Sequence, residues 1–319
     1  MTRSSIGPVS ALVLAFCCWS TSEAAAFPET TASLGAAIPS DAAARPDDLD
    51  HSLPPVSPAS ISPDRNDIPS CYHFAKLDEY ADKPGPRELV IIIDKTTALN
   101  DELRLAARDA AEHFIRRGDE VLIYQFSAYS KTDFLRLPFR GRLEVDMPTS
   151  KRNSIGQDDL RVFDRCIAEQ AGFFKTLFEA KFDASTGRTT ANFEKSEILF
   201  SLKQIAADLH KRRVDHRVIL LISDLLENSD FSSFYQNNQV RPIDPKTEME
   251  RVKKEDLLSD FDRAKVYIHG AGLIDASSRR SYRSGVTIKA LQRFWMDYFS
   301  QSNATVEAFG SPDLNVDLK

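Results

Sequence analysis

Several common chemistries lack their marker residues in this 319-residue chain. Only four cysteines are present, two of them (Cys17 and Cys18) inside an apolar N-terminal stretch, and no Cys/His spacing suggests zinc. Its 12 glycines build no phosphate-cradling loop, and the pair Gly270 and Gly272 is no dinucleotide fingerprint. No Ser/His/Asp order and no Cys/His pair points to nucleophilic catalysis. Positive charge is in short supply too. The 41 Lys and Arg face 47 Asp and Glu, a net charge of −6, whereas a dedicated nucleic-acid binder needs a basic face to meet the phosphates. The local basic clusters, Lys211-Arg212-Arg213 at a helix end and Arg279-Arg280 with Arg283 in a polar loop, read as solvated surface. No apolar run after the N-terminus is long enough to span a bilayer.

What is there begins with an export signal over residues 1–26. Arg3 supplies the positive start, Ile6 to Trp19 the apolar stretch, and Ala24-Ala25-Ala26 a small-residue cleavage site. The mature protein is then periplasmic or secreted. A retained N-terminal anchor is the alternative. Cys17 raises lipid anchoring, although Phe16 stands where a lipobox has Gly or Ala. Residues 27–70 are rich in Ala, Pro and Ser and have few large apolar side chains, as in a flexible arm. The folded domain is expected over 71–319. It keeps two cysteines, Cys71 and Cys166, which either form a disulfide in an oxidising compartment or stay as buried thiols.

Strands and helices alternate along the domain. Glu88 to Asp94 is a continuous β-branched run, as in a strand buried on both faces. An apolar stripe from Leu103 to Ile115 predicts a helix. Glu120 to Ser127 is the next strand. Leu135 to Val145, broken at Arg140-Gly141, gives a return strand or a short hairpin. Helical spacing runs from Leu160 to Phe178 and again from Phe193 to Leu209, around a loop at 183–190. Arg217 to Ser223 is a second fully buried strand. A helix over Glu248 to Arg263, a strand from Lys265, a helix from Ile288 to Phe299 and a strand over Ala304 to Phe309 follow. This order predicts an α/β fold, a three-layer, doubly wound, mostly parallel sheet with helices on both faces.

Ligands of such sheets bind beyond the carboxyl ends of the strands, where the strand order switches. Both buried strands end there in an acid, Asp94 and Asp224. Hard oxygen ligands gathered on one rim suit Mg²⁺, and the 185–190 loop can bring a further hydroxyl.

On these residues the chain resembles the von Willebrand factor A family, over about 87–310 in element order. That family opens its metal motif with Asp-x-Ser-x-Ser, here Asp94-Lys95-Thr96-Thr97-Ala98. Asp94 matches, Thr96 stands for the first Ser, and Ala98 lacks the second hydroxyl. The family's loop Thr corresponds to Thr189 or Thr190, and its later Asp to Asp224. The resemblance implies a metal-ion-dependent adhesion site, with Mg²⁺ weakened by Ala98 and completed by an acidic group of a protein partner. It implies a non-catalytic interaction module of the cell envelope or the extracellular space. The alternative at the rim is a pair of acids that only cap helices and hydrogen-bond loops.

An enzyme reading competes. Asp94-Lys95-Thr96 also resembles the nucleophile motif of haloacid dehalogenase-type phosphohydrolases, in which Asp94 would attack phosphorus with Mg²⁺ held by Asp94 and Asp224. Against it, a regular helix starts soon after Asp94, and Thr96 stands where a second acid belongs. Among other residues, Glu227 and Asp230 are either neighbours of the metal or a solvated loop. His269 reads as a packed strand-end histidine, and Phe294, Trp295, Tyr298 and Phe299 read as core.

Overall fold

The computed structural model describes residues 65–81, 85–127, 135–187, 195–237, 239–273 and 285–319. The expected export signal and almost all of the expected flexible arm lie outside the described residues.

Six strands form one sheet: β1 (Arg87–Asp94), β2 (Glu120–Phe126), β3 (Leu135–Arg142), β4 (His216–Ile222), β7 (Ala264–His269) and β8 (Ala304–Phe309), in the order β3-β2-β1-β4-β7-β8. Every pairing is parallel except that of β3 with β2. A separate two-stranded ribbon joins β5 (Tyr235–Gln236) to β6 (Gln239–Val240). Successive side chains of a strand point to opposite faces, and that alternation builds the layers. Leu89, Ile91 and Ile93 of β1 pack with α2 (Asp101–Phe114) and α4 (Gln157–Thr186). Val90 and Ile92 pack on the other face with α5 (Ile198–Leu209), α6 (Pro245–Lys254) and α7 (Gly285–Gln301). The predicted three-layer architecture is therefore present.

Phe294, Trp295, Tyr298 and Phe299 of α7 are all buried. Each such side chain stabilises the fold by about 1.5–3 kcal/mol through apolar burial. A smaller cluster forms where α1 (Cys71–Phe74) meets the first half of α4, with α3 (Thr149–Arg152) nearby in sequence. Cys71 and Cys166 are joined there by a disulfide, across a sequence separation of 95.

Four local features depart from the sequence expectations. First, β3 runs unbroken through Arg140-Gly141. The glycine makes room, since a Cβ there would sit 2.8 Å from Ile68 and 2.4 Å from the Phe139 ring. Second, α4 extends to Thr186, so Ser185 and Thr186 belong to its last turn rather than to a loop. Third, α6 starts at Pro245 behind an Asp244 cap and ends at Lys254, shorter than the span expected. Fourth, residues 65–70, counted with the arm, are packed. The amide of Asp67 donates to Arg140 O at 2.8 Å, that of Arg140 to Asp67 Oδ2 at 3.0 Å, and that of Arg142 to Asn66 Oδ1 at 3.1 Å.

One of the basic clusters also differs. Arg212 turns inward to Glu88 and Asp208, while Lys211 and Arg213 are exposed. Arg279, Arg280 and Arg283 lie outside the described residues.

Candidate binding rim

The chain leaves β1 for β2 and β3 on one side, then crosses back to β4, β7 and β8 on the other. The order therefore switches between β1 and β4, whose carboxyl ends carry Asp94 and Asp224. Parallel pairing of β1 and β4, from Arg87 with His216 to Ile93 with Ile222, sets these ends side by side.

Asp94 is 1% exposed, and four donors surround its carboxylate. Oδ1 accepts from the Thr96 amide at 2.9 Å and from Thr96 Oγ1 at 2.6 Å. Oδ2 accepts from Ser223 Oγ at 2.9 Å and from Ser196 Oγ at 3.2 Å. Burial nevertheless pushes the Asp94 carboxyl above its ordinary value, against these hydrogen bonds. Asp224 is partly buried. Its carboxyl is raised well above the ordinary value, by burial first and then by the charge of Asp94. Among the described residues neither acid makes an ion pair. Two carboxylates thus sit at one rim without an ion-pair partner among the described residues.

The rim is fastened on every side. Thr97 Oγ1 accepts from the Asp224 amide at 2.9 Å, tying the end of β1 to the end of β4. Ser223 Oγ, besides donating to Asp94, accepts from the Leu225 amide at 3.0 Å. Leu225 takes a left-handed φ of 63°, and the indole of Trp295 donates to its carbonyl at 3.0 Å. A leucine pays about 1–3 kcal/mol to stay in that region, so the surrounding bonds must hold it. Gly272, at φ 71°, aims its amide at Asp224 O, 2.8 Å away. From the ribbon, Tyr235 adds an aromatic neighbour, its phenol raised by burial and then by the charges of Asp224 and Asp94.

Of the residues singled out from sequence, Asp94, Thr96 and Asp224 come together, and Thr189 and Thr190 lie outside the described residues. The hydroxyl that sequence reasoning missed is Ser196, whose Oγ is 3.1 Å from Thr96 Oγ1 as well as bonded to Asp94. It precedes α5 in a polar stretch that carries no distinctive motif. Ser223 was legible only as the residue before Asp224. Ala98 is exposed and contributes nothing. Lys95, beside the acid in sequence, turns away. Its Nζ donates to Ala184 O, Ser185 O and Gly187 O at 3.2, 3.2 and 2.7 Å, closing the C-terminus of α4.

Glu227 is fully buried rather than part of a solvated loop. Its Oε2 accepts from the Leu199 amide at 3.0 Å, in the first turn of α5. Asp230 is exposed and pairs with Lys195. His269 is packed as expected. It is buried, accepts from the Leu314 amide at Nδ1, and is pulled below its ordinary pKa by desolvation.

The donor set is all oxygen, two carboxylates and the hydroxyls of Thr96, Ser196 and Ser223. That chemistry fits a hard divalent cation such as Mg²⁺. No group of three or more His, Cys, Asp or Glu gathers to hold a metal among the described residues. No helix among them is long and apolar enough to cross a membrane. Neither a protein-family model nor a curated protein matches the chain, so the chemistry of the rim rests on its own geometry.

Proposed function

We propose that this chain is an exported, non-catalytic interaction module of von Willebrand factor A-like type, which takes an acidic group of a protein partner at the Asp94–Asp224 rim. Its placement in the periplasm or outside the cell belongs to the same proposal. One observation carries the reading. Two carboxylates at the switch point of the sheet have raised pKa values and no ion pair among the described residues. A divalent cation relieves that repulsion, and Thr96, Ser196, Asp94 and Asp224 are the residues that would hold Mg²⁺. When bound, the ion supplies positive charge on which a partner carboxylate can complete the coordination. Asp94, engaged by four donors, is dressed as a fixed ligand rather than as a free nucleophile.

The test uses the purified full chain titrated with Mg²⁺ and Mn²⁺ by calorimetry and thermal shift. Binding raises the melting temperature by linkage. It strengthens as pH rises above the carboxylate range, because the ligands must lose their protons. Asp224→Asn, which keeps the size of the side chain, abolishes the shift while the variant still folds by circular dichroism. Absence of cation binding in the folded wild type would overturn the metal-assisted reading. Mg²⁺-dependent hydrolysis of a phosphate monoester, lost in Asp94→Ala, would overturn the non-catalytic one.

A further inference from the structure

Far from the rim, the first half of α4 and the short α1 leave an apolar groove of about 560 Å³, with Phe74, Val162, Phe173 and Cys166 on its walls and Arg165 and Glu169 between them. Phe74 is 69% exposed, Phe173 50% and Val162 40%. These are three of the eight large apolar side chains left exposed among the described residues, and they share one groove. Clustering of this kind, unlike scattered exposure, marks a contact surface. We infer that the groove is a homodimer face, in which α4 packs antiparallel against α4 of a second copy of this chain.

The order of residues along the helix selects that occupant. Val162, Arg165, Glu169 and Phe173 follow at three- and four-residue steps, so they form one stripe. The stripe is self-complementary: apolar, positive, negative, apolar. A twofold axis passing between Arg165 and Glu169 on the exposed face of α4 sets Arg165 opposite Glu169 of the second copy and Glu169 opposite Arg165 of the second copy. It also brings each Val162 to the region of Gly172 and Phe173 across the axis. Such reciprocity is what a twofold interface requires. Neither Arg165 nor Glu169 makes an ion pair among the described residues, so both charges remain available.

Gly172 supplies an independent sign. It is exposed within a 30-residue helix, where glycine costs about 1 kcal/mol relative to alanine. A Cβ there would meet nothing within 4 Å. The monomer gives it no reason to be small. In the antiparallel pair it lies across from Val162, where a missing side chain lets the helices approach. The Cys71–Cys166 disulfide, at the groove, holds Phe74 of α1 against this same stripe.

Sedimentation equilibrium of the full chain tests the inference. The expected result is a concentration-dependent monomer–dimer equilibrium. Phe173→Asp should raise the dimer dissociation constant at least ~30-fold, since every contact is lost twice. Arg165→Glu alone should weaken the dimer by about tenfold, because like charges then meet across the axis, and Arg165→Glu with Glu169→Arg should restore it. Thermal melts of each variant check folding. A protein monomeric at every concentration overturns the inference, as does a dimer insensitive to Phe173→Asp or a double charge swap that fails to rescue. Asp224→Asn should leave the equilibrium unchanged, which keeps this result separate from the fate of the rim.

Discussion

Glu227 gives one oxygen, Oε2, to the first turn of α5 while buried from water, and its carboxyl is pushed up from 4.5 to about 8, by burial first and with Glu197 adding repulsion. Below pH 4.5 the folded and unfolded chains both hold this proton. Between there and about 8 the unfolded chain has released it and the folded chain has not, so stability falls as pH rises across that window. Glu227→Gln keeps an acceptor for the Leu199 amide and removes the titration. Urea denaturation from pH 4.5 to 8.5 should show a shallower decline in the variant, which becomes more stable than wild type at the upper end by about 3–5 kcal/mol. Equal slopes would show that the carboxyl carries no such cost. Residues of this kind are hard to find from sequence. Asp94 and Asp224 were legible because each closes or closely follows an uninterrupted apolar run. Ser196 and Glu227 were not, since their roles come from partners about 100 and 28 residues away.

At the scale of elements, the strands were the most legible part, because a strand buried on both faces leaves an unbroken apolar run. β1 and β4 fall within a residue or two of their expected spans. Helix ends were less legible, for they depend on contacts far along the chain. The α4 terminus is the clearest case. Two of its last carbonyls, those of Ala184 and Ser185, and the carbonyl of the capping Gly187 are answered by Lys95 from just beyond β1, which supports the helix through Thr186. Cations at a helix C-terminus contribute about 0.3–2 kcal/mol. Lys95→Met should therefore cost about 1–2 kcal/mol and speed amide exchange in the last turn of α4. It should leave the cation affinity of the rim unchanged. A marked change in that affinity would show instead that the ammonium faces Asp94.

Among the described residues the fold is held by three apolar clusters, and the smallest leans on a covalent link. Joining residues 95 apart stabilises the fold by about 4–5 kcal/mol in the chain-entropy account. Thermal melts with and without reductant should differ accordingly, and Cys71→Ser with Cys166→Ser should behave like the reduced wild type. A reduced protein as stable as the oxidised one would show that α1 and α4 stay docked through Tyr72, Phe163 and Ile167 alone. Both layers could be anticipated from the alternation of strands and helices. The stretch just before α1 could not, because Asn66 and Asp67 look like arm in composition and take their place through bonds to β3 far along the chain, at Arg140 and Arg142. That stretch has a protective effect. β3 is one of the two outer strands of the sheet, already carrying Pro138, and an outer strand with free amides and carbonyls is a template for aggregation. Arg65 to Asp67 occupy Leu137 O, Arg140 N and O, and Arg142 N. The last residues before the domain thus act as a sealing strip, and a protease that trimmed the chain past Asp67 would leave the remaining fold prone to edge-to-edge self-association.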